Sequence, residues 1–466
     1  SPMPEEHEDA ETKSSDSPEV YQQTKFMAWF EKAFPWLLVS GAALGLLLMI
    51  FLPVIFFQEK TAEQLLAQSN LRLALLYTTG GVIAALGLLE TYRKNTNDRA
   101  KANADIKAAL KNQEHQAEVL KEQIRQFDDN AFKERKAERR ERYTKAVEQL
   151  GDEKAPIRMG GVYTLVGLVD EWLEEKSLSD DERFKEGQVI INNLCAYIRS
   201  PFTLTSYYDE LSEDAPSLEG SYKDKKEEFY VDKAILDSEA DVRLSIIKEI
   251  HDRIQGPDKN TPGAWSDFKY DFSGSTFFYP IDLTKSYYKK PVNFSGSIYK
   301  GRADFRRSTY KGGANFSDST YQGEADFSGS VFYHEIYFGY STYSDSSSRF
   351  TNYAPQFYDK KNRKNTIFGS HNNDFTVDID KGYSIDLNSE GIPLSCKQLT
   401  PEQKEYLADK FQEIDETKNK LCDVKEPKEK AELSKKLQAL NEELHEWREE
   451  ATTVKMEGTA PEEDDN

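Results

Sequence analysis

Large apolar residues, most of them aromatic, recur along the middle of the chain with steps that alternate between five and six residues. A serine or an alanine stands two positions before most of them. An eleven-residue period also suits a right-handed coiled coil, but this stretch is rich in glycine, serine, aspartate and asparagine, which favour turns over helices. The repeat therefore predicts short strands joined by turns. Its members are Phe272, Phe277, Leu283, Tyr288, Phe294, Tyr299, Phe305, Tyr310, Phe316, Tyr321, Phe327, Phe332, Phe338 and Tyr343.

The alternation of five and six fits a coil that has four sides and about 22 residues. Residues 22 apart then lie on the same side of successive coils and form ladders through the interior. Buried tyrosine hydroxyls in such ladders need partners, and the sequence does not identify them. Because position 349 is arginine, we expect the regular register to end near Phe350. The four expected ladders are Phe272, Phe294, Phe316 and Phe338; Phe277, Tyr299, Tyr321 and Tyr343; Leu283, Phe305 and Phe327; and Tyr288, Tyr310 and Phe332.

Two long apolar stretches stand out in a chain that is polar as a whole. Residues 35–57 contain no charged side chain, and residues 71–89 contain only Arg72. Each stretch is long enough to cross about 30 Å of hydrocarbon at about 1.5 Å per residue. The alternative is a buried helix of a soluble protein. We predict a two-span transmembrane α-hairpin over residues 35–90, with spans at 35–57 and 71–90.

Basic residues flank the outer ends of this hairpin, whereas the link between the spans is nearly neutral. The positive-inside rule then places both termini in the cytoplasm. Gly41 and Gly45 are four residues apart, as are Gly81 and Ala85, and such pairs let helices approach closely. They fit packing within the hairpin or contact between protomers. The flanking basic residues are Lys25, Lys32, Arg93, Lys94, Arg99 and Lys101.

Helical patterns follow the second apolar stretch. Residues 91–141 are charged and free of glycine and proline, so we expect a helical stalk that continues the second span. A heptad seam within it fits either a coiled-coil homo-oligomer or packing inside the chain. Residues 142–265 contain several apolar-periodic helices, and two segments resemble each other as in HEAT-type repeats, which predicts a HEAT-like helical module. The seam consists of Ile106, Leu110, Gln113, Ala117, Leu120, Ile124, Phe127 and Ala131.

The segment RYTKAVEQLGDEKAPIRMGGVYTL, which follows the apolar stretches and precedes the aromatic repeat, is similar to that of bacterial membrane-anchored pentapeptide-repeat proteins. The resemblance covers roughly residues 35–345 and leaves out the C-terminal part. It implies a right-handed quadrilateral β-solenoid over residues 266–350 and a location in the bacterial cell (inner) membrane. The biochemical role of that family is mostly undefined, so the resemblance implies architecture rather than an activity.

The remaining segments flank these domains. Residues 1–34 and 455–466 are acidic and polar, which is typical of disorder. Residues 351–399 are irregular, and we expect part of them to cap the solenoid. Residues 400–454 begin with Thr400 and Pro401, a pattern typical of a helix start. Their apolar residues, with Pro427 between them, predict a C-terminal helical hairpin that packs on the solenoid or binds a partner.

Basic residues concentrate on outward positions of the early repeats. An ordinary solvated face is one interpretation, and a docking patch for an acidic cytoplasmic protein is the other. The aromatic residues, by contrast, are expected to be core rather than a ligand cage. The candidate docking residues are Lys285, Lys289, Lys290, Lys300, Arg302, Arg306, Arg307 and Lys311.

Composition and motifs narrow the function classes. The chain has 466 residues and a net charge of −21, which argues against nucleic-acid binding. Its three cysteines are far apart, and no histidine or cysteine pair has metal-ligand spacing. No catalytic motif appears, so we predict no enzyme, cofactor or metal site. The leading hypothesis is a membrane-anchored scaffold or adaptor. Alternatives are an oligomeric pore-forming effector and, since residues 271–345 carry no net charge, less favourably a DNA mimic.

Overall fold

The computed structural model describes residues 19–56, 62–94, 99–256, 261–339, 346–424 and 426–454. The chain divides into two compact units, Ser1–Glu134 and Arg135–Asn466. Three helices account for the described part of the first unit, and the third of them continues into the second unit: α1 (Glu19–Phe56), α2 (Ala62–Lys94) and α3 (Arg99–Leu150). Of the segments expected to be disordered, residues 1–18 and 455–466 lie outside the described residues, whereas residues 19–34 differ from the expectation and form the first part of α1.

One described helical segment, Ser69–Leu88, is long and apolar enough to cross a membrane by length and composition. The apolar part of α1 is shorter, Trp36–Leu52, and residue 57 of the predicted first span lies outside the described residues. The helices α1 and α2 pack closely at Gly45, where a Cβ atom would lie 2.5 Å from Cγ2 of Thr79. The structure therefore shows one candidate spanning helix with a second apolar helix packed against it.

The start of α3 lies beside α2 instead of extending it. A Cβ atom on Gly81 of α2 would lie 3.2 Å from Nε2 of Gln113, and a cleft of about 570 Å³ runs between the two helices. The expectation of one continuous helix was wrong, because α2 ends at Lys94 and α3 is a separate helix from Arg99 that lies beside it. The segment between them, residues 95–98, lies outside the described residues, but its Asn and Asp residues are types that favour helix caps.

The second unit begins with a group of helices that share one core. Ser179 and Glu182 form a capping box at the start of α5, and Pro156 lies in the first turn of α4. Gly161 permits a close contact, since a Cβ atom there would lie 2.7 Å from the carbonyl oxygen of Ala146. These elements are α4 (Ala155–Glu174), α5 (Asp180–Arg199), the 3₁₀ helix η1 (Thr203–Tyr207), α6 (Tyr208–Leu211) and α7 (Lys226–Ile254).

A β-solenoid of about three turns follows, built from two-residue strands that pair in parallel. Its four sides are named here in chain order. Side 1 contains β1 (Tyr270–Asp271), β5 (Val292–Asn293), β9 (Ala314–Asn315) and β13 (Ile336–Tyr337). Side 2 contains β2 (Thr276–Phe277), β6 (Ile298–Tyr299), β10 (Thr320–Tyr321) and β14 (Arg349–Phe350). Side 3 contains β3 (Ile281–Asp282), β7 (Ala303–Asp304) and β11 (Ala325–Asp326). Side 4 contains β4 (Tyr287–Tyr288), β8 (Thr309–Tyr310), β12 (Val331–Phe332), β17 (Ile367–Phe368) and β18 (Lys397–Gln398).

The interior of the solenoid holds the predicted ladders. The ring centroid of Phe316 lies 5.0 Å from that of Phe294 and 5.5 Å from that of Phe338, and the rings are nearly parallel. Serine residues link the coils: the backbone N–H of Ser297 donates to Oγ of Ser319, whose hydroxyl donates to the carbonyl oxygen of Phe294. The predicted core residues are all fully buried: Phe272, Leu283, Phe294, Phe305, Phe316, Phe327 and Phe338.

The stack continues beyond the position where the spacing breaks. Tyr343 lies outside the described residues, and Phe350 takes its predicted place in the ladder, with its ring centroid 4.5 Å from that of Tyr321. Phe357 and Phe368 likewise stack on Phe327 and Phe332. The regular spacing breaks near Phe350, as expected, but the ladders do not end there. Longer loops return the chain to the same ladders. Part of residues 351–399 forms an irregular coil, which also includes a β-hairpin of β15 (Tyr358–Asp359) and β16 (Lys364–Asn365) and the short helix η2 (Ile379–Lys381).

Two C-terminal helices, α8 (Pro401–Asp423) and α9 (Pro427–Thr452), form a hairpin that packs on side 4. Thr400 and Gln403 make a capping box at the start of α8. Leu407 is buried in a small apolar cluster with Val331, Ile367 and Leu399 of the solenoid. Of the two expectations for this hairpin, packing on the solenoid is the one that the structure shows.

Candidate partner-binding surface

The sides of the solenoid differ in the side chains that they carry on their outer surface. Side 3 carries one carboxylate on each coil, namely Asp282, Asp304 and Asp326. Side 1 carries Asn293 and Asn315, whose side-chain oxygens accept hydrogen bonds from nearby serine residues. The helices α8 and α9 cover side 4. A partner that binds the outer surface of the solenoid therefore has sides 1, 2 and 3 to use.

The eight basic residues of the predicted docking patch do not share one face. They lie at the corners where the chain turns from one side to the next, because they occupy the loops between strands. Each corner has its own set of neighbours, so the patch divides into three groups. Lys300 and Arg302 lie between sides 2 and 3; Lys285, Arg306 and Arg307 lie between sides 3 and 4; Lys289, Lys290 and Lys311 lie between sides 4 and 1.

Arg306 is held by the carboxylates of side 3. Its Nε and Nη2 atoms lie 2.8 and 2.6 Å from the two carboxylate oxygens of Asp304, and Nε lies 3.8 Å from Asp326. Arg302 also donates to Asp304, at 3.2 Å. The hydrogen bonds that Arg306 donates to Asp304 are the main reason that the pKa of Arg306 rises, while burial raises the pKa of Asp326. These charges are already paired within the chain.

Two lysines at the corner between sides 4 and 1 hold the C-terminal hairpin in place. Lys289 and Lys418 of α8 both donate to Asp267, at 3.0 and 3.2 Å. Burial opposes ionisation of Asp267, but the two lysines outweigh it and lower the pKa of this carboxyl, while burial lowers the pKa of Lys289. One coil further on, Lys311 lies 3.7 Å from the carboxylate of Asp415. Lys311 thus contacts α8 directly, whereas Lys289 is linked to α8 through Asp267, which it shares with Lys418.

The other basic residues differ in their surroundings. Lys300 lies 3.6 Å from the carboxylate of Asp209 and 5.7 Å from the ring centre of Tyr208. The backbones of Lys285 and Arg307 are left-handed, with φ of 55° and 56°, so both residues hold turn positions that usually favour glycine. Lys290 is exposed. A docking role for these residues stays a prediction.

An open cleft of about 660 Å³ lies on side 3, beside part of the predicted patch. Arg302 and Arg306 line it from the regular coils, and Lys360 and Lys361 line it from the β15–β16 turn. Asp326 and Asp359 supply negative charge at the same place. The cleft thus presents two lysines to a polar or acidic segment of a partner, beside two carboxylates and two arginines that are already paired with Asp304.

Sequence reasoning missed half of this cleft. The carboxylate ladder of Asp282, Asp304 and Asp326 was visible in the sequence, because its members are spaced like the core residues. Lys360 and Lys361 carried no such signal, since the β15–β16 hairpin is an insertion into the repeat. Only the fold shows that this hairpin lies beside Arg306.

The cysteines give no sign of nucleophilic chemistry. Burial raises the pKa of Cys195 and that of Cys396 to about 12, so both thiols stay protonated. Cys422 is exposed beside a groove of about 990 Å³, but a hydrogen bond with Asp180 raises the pKa of its thiol. Within the described ranges, no group of three or more histidine, cysteine, aspartate or glutamate side chains is arranged to hold a metal ion.

The geometry agrees with a repeat solenoid, because about three coils stack through parallel strands with one residue of each ladder per coil. Comparison with known proteins adds no relative to this architecture. No protein-family model, no curated protein and no solved structure matches the chain.

Proposed function

We propose that this chain is a non-enzymatic, membrane-anchored scaffold or adaptor of the pentapeptide-repeat type. The first unit acts as a two-span tether in a bacterial inner membrane, with both termini in the cytoplasm. The second unit presents its solenoid, together with a HEAT-like module formed by α4 to α7, to a cytoplasmic protein. No reaction is assigned to it.

One observation supports the tether above all. The segment Ser69–Leu88 is apolar over 20 residues, and none of that window is buried inside the protein. An apolar helix with no fully buried residue needs a non-aqueous surrounding or a further partner. The second unit encloses its own apolar core, from Ala146 to Leu440, and needs no such surrounding.

The close packing of α1 and α2 favours a tether over a pore. Gly45 and Thr79 bring the two helices together within one chain. Small residues used in this way hold a hairpin together without a second protomer. A pore made of several hairpins would need further contacts between chains.

Membrane attachment is tested with two matched pairs of substitutions in the full chain. Leu76→Arg with Val82→Arg places two charges in the apolar segment, at a cost of about 3 kcal/mol each at the centre of a span. Val119→Arg with Ile124→Arg places the same charges on α3, beyond the part that lines the cleft beside α2, at residues that are 42% and 40% exposed. We expect the first variant to leave the membrane fraction and the second to stay there. Wild-type chain that washes off at alkaline pH would refute the tether.

The orientation is tested by thiol labelling of intact cells, starting from a chain in which the three native cysteines are replaced. A cysteine at Glu63, in the link between the spans, should react with an impermeant reagent. A cysteine at Gln438 on α9 should react only after lysis. Labelling of Gln438→Cys in intact cells contradicts a cytoplasmic second unit.

Partner binding is tested at the side 3 cleft. A photoreactive residue at Asn362, which lines the cleft, should give one discrete crosslinked species in cells, whereas one at Lys290 serves as an exposed control on another corner. Lys360→Glu with Lys361→Glu should remove the crosslink, because it reverses two of the four cations. A crosslink that survives this change, or equal crosslinks from both positions, would show that the cleft is not the binding surface.

A further inference from the structure

Arg448 of α9 is buried between the C-terminal hairpin and side 4 of the solenoid. Arg448 is 2% exposed. Within the described residues, its guanidinium donates one hydrogen bond, from Nη2 to the carbonyl oxygen of Gly329 at 3.3 Å. The Nε and Nη1 atoms are buried without a hydrogen-bond partner in the described part of the chain. Most buried polar groups in proteins have such partners, so this guanidinium requires an explanation.

No carboxylate in the described residues pairs with this charge. The adjacent Glu449 points to Lys364, whose Nζ lies 2.7 Å from its carboxylate. Burial lowers the pKa of Arg448 to about 10, so the side chain is still a cation near neutral pH. An uncompensated charge at such a depth strongly destabilises the fold that contains it.

A small cavity adjoins the guanidinium. Its volume is about 10 Å³, which is room for one particle of about the size of a water molecule. Thr261 and Thr309 line this cavity, and their hydroxyl groups are also buried without a partner. The cavity lining among the described residues includes no aspartate or glutamate. The cavity is therefore lined by the guanidinium of Arg448 and the hydroxyl groups of Thr261 and Thr309, all of which have hydrogen-bond donors without a partner in the described structure.

We propose that this cavity binds a single monatomic anion, chloride in the cell, held by Arg448, Thr309 and Thr261. An anion accepts from all of these donors at once and also neutralises the buried charge. A water molecule fits the space but leaves the charge uncompensated. Phosphate or a carboxylate has several heavy atoms and is too large for it.

The position of the site gives the anion a structural role. Thr309 belongs to strand β8, whereas Arg448 belongs to α9, so the anion lies between the solenoid and the hairpin. A ligand that binds only the docked arrangement stabilises it in proportion to its concentration. Chloride is thereby expected to hold the C-terminal hairpin on the solenoid.

The test measures thermal unfolding of the full chain in detergent, in sodium chloride and in sodium gluconate at equal ionic strength. We expect the midpoint temperature to rise with chloride concentration and with bromide, and not with gluconate. Arg448→Met should abolish this dependence, because it removes the charge while keeping an unbranched side chain. Thr309→Val should shift the dependence to higher chloride concentration.

Lys364→Met is the matched control, since it removes an ion pair of α9 at the same interface without lining the cavity. We expect its midpoint to fall, because the ion pair with Glu449 is lost, and its dependence on chloride to equal that of the wild type. Crystals grown in sodium bromide should show an anomalous peak within hydrogen-bond distance of Arg448 and Thr309. A wild-type midpoint that ignores halide, a dependence that persists in Arg448→Met, or a water without anomalous signal in the cavity would each overturn the site.

Discussion

The core tyrosines show how a single hydroxyl group affects the solenoid. Tyr299 and Tyr321 stack with ring centroids 4.6 Å apart, and their hydroxyl groups are buried without a hydrogen-bond partner in the described structure. The sequence left open where these hydroxyl groups find hydrogen-bond partners. In the described structure they have none. They carry a desolvation cost that phenylalanine would not.

Tyr321→Phe should consequently stabilise the protein by roughly 1 kcal/mol, because it removes an unsatisfied polar atom without changing the ring. Tyr270→Phe is the matched control with the opposite sign. The hydroxyl of Tyr270 donates to the carbonyl oxygen of Trp265 at 2.9 Å, so its loss should destabilise by about 1 kcal/mol. Chemical denaturation of both variants measures the difference, and two changes of the same sign would contradict the assignment.

Glu175 makes the helical part of the second unit sensitive to acid. Burial alone would raise the pKa of this carboxyl, but hydrogen bonds from Arg135 and Arg139 prevail and lower it to about 2. Since the folded pKa lies below the ordinary value of 4.5, the contribution of Glu175 is fully present above pH 4.5 and is lost as the pH falls towards 2.

We expect the wild type to lose roughly 2 kcal/mol through this group over that pH window. Glu175→Gln should be less stable at neutral pH but should lose less on acidification. Glu174→Gln, at the exposed neighbouring position, should behave like the wild type. Denaturation midpoints between pH 5 and pH 2.5 distinguish these cases, and identical acid losses in Glu175→Gln and wild type would show that the carboxylate is not the responsive group.

At the level of elements, the regular coils were predictable from spacing and the irregular coil was not. A fixed period translates directly into position, since each ladder receives one residue per coil. The backbone of Ser297 reaches Ser319 across 22 residues, whereas that of Ser319 reaches Ser348 across 29. Nothing in the local sequence fixes the length of that longer loop, so only the packed ladder reveals that Phe350 belongs to it.

The helices, too, were predictable from the sequence only in part. Caps and apolar spacing predicted a hairpin over residues 400–454, but its seat on side 4 depends on residues distant in the chain, such as Lys311 and Asp415. The separate start of α3 at Arg99 was missed because residues 95–98, which precede it, contain neither glycine nor proline. Half of the side 3 cleft was missed because β15 and β16 interrupt the repeat instead of following it.

The ladders make one prediction at this scale. Phe316→Ala should cost roughly 3–5 kcal/mol, because it leaves a cavity between Phe294 and Phe338. Lys290→Ala, at an exposed position one coil below, should change the stability by less than about 0.5 kcal/mol. Denaturation curves of the two variants measure the contrast. Equal stabilities would mean that the ring of Phe316 does not fill the interior.

At the level of the whole molecule, the exposed apolar side chains of α3 bear on self-association. Leu110, Val119, Ile124 and Phe127 remain exposed in the described structure. The heptad seam of which three of them are part is suited to a second copy of the chain. We expect the protein to form a homo-oligomer in detergent. A scaffold does not need this oligomer, whereas a pore does.

Leu120→Asp with Ile124→Asp should dissociate this oligomer, because it places two charges in the seam. His115→Asp with Gln126→Asp changes the other face of the helix and should leave the oligomer intact. Light scattering of the detergent-solubilised proteins measures the masses. A monomeric wild type would remove the basis of the pore alternative, and an oligomer that survives the first double change would place the contacts outside the seam.

The seating of α8 on side 4 has a geometric consequence. Moving along α8, Lys418, Asp415, Phe411 and Leu407 meet Asp267, Lys311, Tyr333 and Ile367; the first two partners lie two coils apart, and the later ones follow one coil at a time. From Asp415 to Leu407, one turn of the helix therefore keeps step with one coil, although the helix advances about 5.4 Å per turn and stacked strands about 4.8 Å. Because the helical pitch and the spacing between coils differ, the turns of the helix and the coils fall out of alignment with distance. The helix can therefore match only a few coils, so a repeat added to or removed from this solenoid would change which residues of α8 meet side 4.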